Sequence, residues 1–205
     1  MKWVPIKPPF AYYKRTVLTK AAKVAGFIYQ IGEYEGLRKS SKEVPVGKIK
    51  SYEMRKKLKY LKACLRKYRK LTGYGRGITA VQAGIPERFS VIYTPKALLT
   101  IINPKVTKKS LKLLKYPEIC MSANPIIAPT IRPSWIELEY YDENGKLQYW
   151  NKKDNTKRGK MLNRVFQHEI DHMEGIINID RVKSPKDLIL ECDPNFYKNA
   201  EFEEI

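Results

Sequence analysis

Residues 167–172 read Gln167-His168-Glu169-Ile170-Asp171-His172, and they hold both histidines of the chain. Positions i and i+4 share one helix face, with Cβ atoms about 5–6 Å apart. Two imidazoles so placed can bind one metal ion, and a glutamate beside the first reaches water at the same place. Met161 to Glu174 contains no glycine or proline, and Gly175 follows. The segment predicts a helix over residues 161–174, closed by a glycine cap. Two surface histidines four apart would give the same spacing. The glutamate after the first, and the lack of histidine elsewhere, weigh for a metal-binding helix.

A catalytic metal site takes three protein ligands and keeps one position open. With no third histidine, the remaining ligand is of another type. Glu174, Glu191 and Cys120 are the candidates. Glu191 would make a zinc endopeptidase arrangement. Cys120 would make a thiolate and imidazole set suited to Zn2+ or Fe2+. Taken alone, Cys120 reads as well as a buried inert cysteine, which is the reading for Cys64 and Cys192.

Outward from this helix, Lys50 to Leu71 also lacks glycine and proline. Its apolar residues Met54, Leu58, Leu61, Leu65 and Tyr68 step by four and three, which is one helical stripe. Gly73, Gly75 and Gly77 end it. Phe89–Tyr93 and Leu98–Ile102 read as short strands, the second closed by Asn103-Pro104. Trp135–Tyr141 alternates, and Asn144-Gly145 is a hairpin turn before Lys146–Trp150. Residues 151–160 read as a loop and Ile176–Ile179 as a last strand. This order predicts an α+β fold, with mostly antiparallel sheets packed around the metal-binding helix. Three segments follow: an N-terminal arm at 1–45, with a short helix at Ala21–Tyr29, a catalytic domain at 46–184, and an acidic tail at 185–205.

Composition bounds the function. At 205 residues the chain is one domain by length. No apolar run approaches the ~20 residues of a membrane helix. Three cysteines exclude a disulfide framework and fit a reducing compartment. Pro5, Pro8 and Pro9 interrupt the start, which argues against a secretory signal. A cytoplasmic protein is expected, with an organelle left open because residues 1–30 contain no acid. The net charge is +19, and it is uneven. Residues 38–70 carry 14 basic and 2 acidic side chains, while residues 185–205 carry 2 basic and 6 acidic. The basic faces of the first helix fit a solvated surface or a nucleic-acid contact equally well.

Two further segments precede the histidine helix: Gly75-Arg76-Gly77-Ile78-Thr79-Ala80-Val81-Gln82 and Pro117-Glu118-Ile119-Cys120-Met121-Ser122. With residues 167–172 they form three motifs in fixed order. Together with Arg88–Ile92, Ile102-Asn103-Pro104, Arg132-Pro133 and Gly175–Arg181, they resemble the peptide deformylase family over roughly residues 70–183. The resemblance implies Cys120, His168 and His172 as metal ligands and Glu169 as general acid and base. It implies Gln82 and the Met121 backbone N–H as oxyanion donors. It pairs Glu118 with Arg132 and gives Asp171 a positioning role. Gly75, Arg76, Gly77, Glu118, Ile119, Arg132, Arg164 and Val165 are implied as substrate-binding positions.

The implied reaction is metal-dependent hydrolysis of the N-formyl group from N-terminal formylmethionine of newly made proteins, releasing formate. The family typically uses Fe2+ and accepts Zn2+ and other divalent ions. Nascent N-formylmethionyl peptides are the expected partners, and no membrane is. The family docks on the ribosome through a basic C-terminal extension. Here the tail is acidic, so any ribosomal RNA contact is expected from residues 50–70. The alternatives are a zinc endopeptidase and a non-catalytic, deformylase-like RNA-binding protein. Four residues depart from the family pattern. Ile119 replaces a glycine, Thr79 a small apolar residue, Arg76 an aliphatic one and Met121 a leucine. The stretch from Arg132 to His168 is also longer, in loop 151–160. Arg76 is expected to bear on peptide preference.

Overall fold

The computed structural model describes residues 24, 26–94, 96–151, 155–190 and 200–205. Helix α1 spans Tyr52–Thr72. Ser51 Oγ caps it by accepting from the Met54 N–H at 3.1 Å, and Gly73, at φ 78°, ends it. The predicted stripe of Met54, Leu58, Leu61, Leu65 and Tyr68 is buried, together with Cys64. It packs on Ile78, Phe89, Val91 and Ile102.

Those four residues belong to an antiparallel sheet of β1 (Gly77–Thr79), β2 (Phe89–Tyr93), β3 (Leu98–Lys109), β6 (Ile136–Tyr141) and β7 (Leu147–Trp150). The strand order is β1-β2-β3-β6-β7. A second antiparallel sheet joins β4 (Leu113–Ile119), β5 (Ile126–Pro133), β8 (Ile189–Leu190) and β9 (Glu203–Glu204) in the order β8-β5-β4-β9. Helix α2 (Lys157–Met173) lies against β1 and β2 and hydrogen-bonds β4 and β5 of the second sheet. The fold is therefore α+β with antiparallel sheets around the histidine helix, as the pattern predicts. Among the described residues no helix is long and apolar enough to cross a membrane.

Three elements differ from expectation. Helix α2 starts at Lys157 rather than 161, so the predicted loop ends earlier. Thr156 Oγ1 accepts from the Gly159 N–H at 3.1 Å and sets the start a turn upstream. Strand β3 runs past Asn103-Pro104 to Lys109. Asn103 takes φ 50°, and the pairing with β6 shifts register between Ile102 and Lys105. A proline has no N–H to give, and at a bulge none is required. Ile176–Ile179 is not a strand. Asn178–Arg181 forms a 3-10 turn, with Asp180 Oδ2 accepting from the Ile177 N–H at 2.8 Å. Within the predicted helix at Ala21–Tyr29, Val24 is helical, residues 21–23 and 25 lie outside the described residues, and residues 26–29 are turn and open chain.

Val24 and residues 26–45 pack onto the rest. Val24, Ile28 and Val44 join the core under α1. Leu37 packs with Val81, Cys120 and Ile177. At the other terminus β9 pairs with β4, and the acids around it meet lysines. Lys112 reaches Glu204 at 2.5 Å, Lys115 reaches Glu203 at 3.2 Å and Lys157 reaches Glu201 at 2.5 Å.

Candidate active site

Three elements deliver the three motifs to one place. The end of β4 leads into Cys120, α2 carries His168, Glu169 and His172, and the 3-10 turn Ala80–Ala83 after β1 carries Gln82. One ligand atom each from Cys120, His168 and His172 lies within 4.8 Å of the others. Cys120 Sγ is 3.1 Å from His172 Nε2 and accepts from the Ser122 N–H at 3.4 Å. His168 Nδ1 is 2.9 Å from Glu118 Oε2, which leaves Nε2 as the ring nitrogen available to the cluster. A sulfur and two imidazoles at this spacing fit a tetrahedral ion with one position left over. Glu174 is not among them. Its side chain is 44% exposed and pairs with Arg88 at 2.6 Å. Glu191 and Cys192 lie outside the described residues. Cys64 sits in the core, where burial pushes its thiol pKa up.

Glu169 is buried beside this cluster. Its Oε2 accepts from Thr79 Oγ1 at 2.7 Å, and Thr79 Oγ1 is 2.6 Å from Ser90 Oγ. Burial pushes the Glu169 pKa up, and nearby His168 with the Thr79 hydrogen bond offsets part of that rise. Gly77 faces the same carboxylate. A Cβ at Gly77 would lie 2.7 Å from Glu169 Cδ. Gln82 is oriented at both ends of its amide. Its Oε1 accepts from the Thr79 N–H at 2.9 Å, so Nε2 donates to Ser122 Oγ at 3.1 Å and lies 3.7 Å from Cys120 Sγ.

A buried ion network stands behind the Cys120, His168 and His172 cluster. Arg132 grips Glu118 with two N–H bonds, Nε to Oε1 at 2.7 Å and Nη2 to Oε2 at 3.0 Å. Its Nη1 reaches Asp171 at 2.6 Å, and Arg181 holds the other Asp171 oxygen at 2.5 Å. Arg164 donates to Glu118 at 2.6 Å, to Thr130 Oγ1 at 2.7 Å and to the Leu114 carbonyl at 2.5 Å. Burial alone would raise the Glu118 pKa. Arg132, His168 and Arg164 hold it well below the usual carboxylate range. Burial likewise disfavours charge on His168, yet its bonds to Cys120 and Glu118 hold its pKa well above the usual value. His172, buried and beside His168, is held well below.

A cavity of about 540 Å³ opens over the cluster. Gly75, Arg76, Gly77, Gln82, Ile119, Met121, Val165, His168 and Glu169 line it. Glu118 and Arg164 also reach it, although their named bonds go to each other and to protein. Arg132 lies behind Glu118, with its donors on Glu118 and Asp171.

Residues 28–187 match the family model for polypeptide deformylase. The chain belongs to the polypeptide deformylase family. A peptide deformylase of Picosynechococcus sp. is 37% identical over 115 residues, covering 54% of this chain and 58% of that protein. One from Rhizobium meliloti is 34% identical over 122 residues, covering 57% and 67%. The chain thus matches less than two thirds of the length of the first of these relatives. Among solved structures, the Thermotoga maritima peptide deformylase superposes with a TM-score of 0.66 at 27% identity, covering 77% of this chain and 97% of that one. The Synechococcus elongatus enzyme in complex with actinonin gives 0.65 at 27%, covering 78% and 80%.

The deformylase match begins at Ile28, inside the segment that the sequence sets off as an arm. That segment braces two of the motifs. Gln30 Nε2 donates to the Met121 carbonyl at 3.0 Å, the Ile31 N–H to the Ser122 carbonyl at 2.8 Å, and the Tyr29 N–H to the Gln82 carbonyl at 2.9 Å. Sequence reasoning misses Gln30 and the Thr79–Ser90 pair, because nothing periodic marks them. It passes over Arg181 as well, although this residue closes the quoted Gly175–Arg181 stretch.

Proposed function

We propose that this deformylase removes the formyl group from N-formylmethionyl peptides as they are made in the cytoplasm, releasing formate. The observation that carries the reading is the convergence of Cys120, His168 and His172 beside a buried Glu169, at the foot of an open cavity. A divalent ion held by these three side chains, Fe2+ for preference and Zn2+ as the substitute, would polarise the formyl carbonyl and make water acidic enough to ionise near neutral pH.

The chain's own groups do the rest. Glu169 Oε1, the oxygen that Thr79 leaves open, accepts the proton of the attacking water and returns it to the leaving amine. Gln82 Nε2 and the Met121 N–H stabilise the developing oxyanion. Removing one such donor typically costs about 10²–10³ in rate. Strand β1 is an edge strand, so the backbone beside Gly75–Gly77 can pair with an extended peptide. Ile119 and Val165 supply apolar wall for the methionine side chain. Glu118, held by Arg132 and Arg164, orients His168, and Asp171 orients Arg132.

The deciding experiment is formate release from formyl-Met-Ala-Ser by anaerobically purified, iron-loaded protein. Turnover is expected, with loss in Cys120→Ala. Loaded protein that releases no formate overturns the reading. Cleavage inside an unformylated peptide would favour an endopeptidase instead.

We also propose that α1 touches ribosomal RNA. Lys57 and Lys62 are paired with Glu87 and Glu143, and Lys67 lies over the Phe27 ring. Lys56, Lys59, Arg66 and Lys70 are exposed and fall on one face of α1. Phosphate binding through them would fall steeply with salt. Ribosome co-sedimentation should drop when these four become Glu, and unchanged co-sedimentation rejects the contact.

A further inference from the structure

Besides Arg164, the cavity lining carries three guanidinium groups, from three different elements. Arg69 comes from the last turn of α1, Arg76 from the turn into β1 and Arg158 from the first turn of α2. Arg76 and Arg158 are exposed. Arg69 lies 3.9 Å over the Tyr93 ring and donates to the Gly75 carbonyl at 2.6 Å, and among the described residues no carboxylate pairs with it. Arg76 lines the cavity together with Tyr116, whose hydroxyl pKa burial raises and Lys157, Arg76 and Arg164 pull back.

The acids nearby, among the described residues, are buried or already bonded. Among the described residues, Glu118 and Glu169 are the carboxylates lining the cavity. Both are buried, and Glu118 is bonded to two arginines and a histidine. Glu201, which acts on the same Tyr116, is bonded to Lys157. The rim therefore holds three cations with no acidic partner among the described residues. Solvation alone can satisfy three arginines on a convex surface. At the mouth of a concave site they also raise the local concentration of anions.

We propose that Arg76 and Arg158, supported by Arg69, make this site selective for peptides with Asp or Glu at the two positions after the methionine. The proposal rests on the deformylase reading and adds the substrate class. A peptide paired along the Gly75–Gly77 edge would run beside Arg76, in a cavity that Arg158 also lines. Guanidinium groups there can take a carboxylate in a forked, two-bond geometry. Lysine at those positions meets like charge.

The test compares formyl-Met-Glu-Glu-amide, formyl-Met-Gln-Gln-amide and formyl-Met-Lys-Lys-amide on the metal-loaded full chain. Amidation removes the competing terminal carboxylate. At low ionic strength kcat/KM should favour the Glu peptide over the Gln peptide by about three- to tenfold, and this preference should shrink as salt is raised. The double variant Arg76→Leu, Arg158→Ala should bring the Glu-to-Lys ratio toward one. Lys105→Ala, on the exposed far half of β3 and outside this cavity, should keep the ratio of the parent. Equal kcat/KM for the three peptides, or a ratio that the double variant does not move, overturns the proposal. Binding of the unformylated Met-Glu-Glu-amide and Met-Lys-Lys-amide, measured by calorimetry, reads the rim without chemistry. A retained affinity difference with no formate release sinks the deformylase reading alone. Equal affinities sink the rim.

Discussion

Gly77 and Glu169 occupy one space: a methyl group on the glycine would stand 2.7 Å from the carboxyl carbon of the glutamate. The neighbour that would have to give way is the proposed proton acceptor. Gly77→Ala should therefore lower kcat by about 10²-fold or more, since general-base catalysis is worth about 10²–10⁴. Overpacking should also cost about 1–3 kcal/mol of stability. Formate release and thermal melting measure the two effects. Wild-type turnover would show that Glu169 does not need its present position.

Thr79 hydrogen-bonds the same carboxylate and pulls its pKa down against the effect of burial. In Thr79→Val that restraint is lost, so the Glu169 pKa should rise. The base must be ionised to accept a proton, so the acid limb of kcat/KM against pH should move to higher pH. Thr79→Ser keeps the hydroxyl and should restore the limb. A profile identical in all three proteins would contradict the assignment of Glu169 as base.

Glu118 predicts how the fold responds to acid. Its folded pKa is depressed, so its contribution to stability is fully present above the unfolded value of 4.5 and is lost as pH falls through the lower folded value. Glu118→Gln should flatten the acid side of the stability curve, followed by denaturant midpoints below neutral pH. Arg132→Met should be worse at neutral pH. It strips partners from Glu118 and Asp171 together, and breaking a buried pair costs about 3–5 kcal/mol.

Metal removal should loosen the whole molecule as well as stop turnover. An ion that binds only the folded state adds stability by mass action, about 4.1 kcal/mol at a thousandfold excess over Kd. Chelation should lower Tm and Fe2+ or Zn2+ should restore it. Cys120→Ala and His172→Ala should show neither response. A Tm indifferent to chelator in the parent would argue that the three side chains hold no ion.

The elements that can be read before the fold is known are those whose evidence is local. Met54 to Tyr68 repeat with the helical period, and Asn144-Gly145 announces a hairpin. The ion pairs of Glu118 and the hydrogen bond from Thr79 to Glu169 are different. Thr79 and Glu169 are 90 residues apart, and neither residue signals the other. Cys120 is an intermediate case. Its spacing from the histidines says nothing, and only the three motifs taken together, or the fold itself, bring it to them. Pro104 misleads for a physical reason, because a proline normally closes a strand and here sits in a bulge. The extra turn of α2 is written in Thr156, a capping residue read as loop.

The order β8-β5-β4-β9 has a consequence for solubility. Both outer strands of the sheet that leads to Cys120 come from the last 17 residues of the chain, at Ile189–Leu190 and Glu203–Glu204. They act as two selvedges, each covering backbone groups of β4 or β5 that would otherwise be open to pairing with another molecule. A protease that clips the chain before Ile189 would therefore leave Cys120, His168 and His172 in the sequence and bare two sticky margins at once. Such a fragment should self-associate, and the acidic stretch that looks like a dispensable tail would prove to be what keeps neighbouring copies apart.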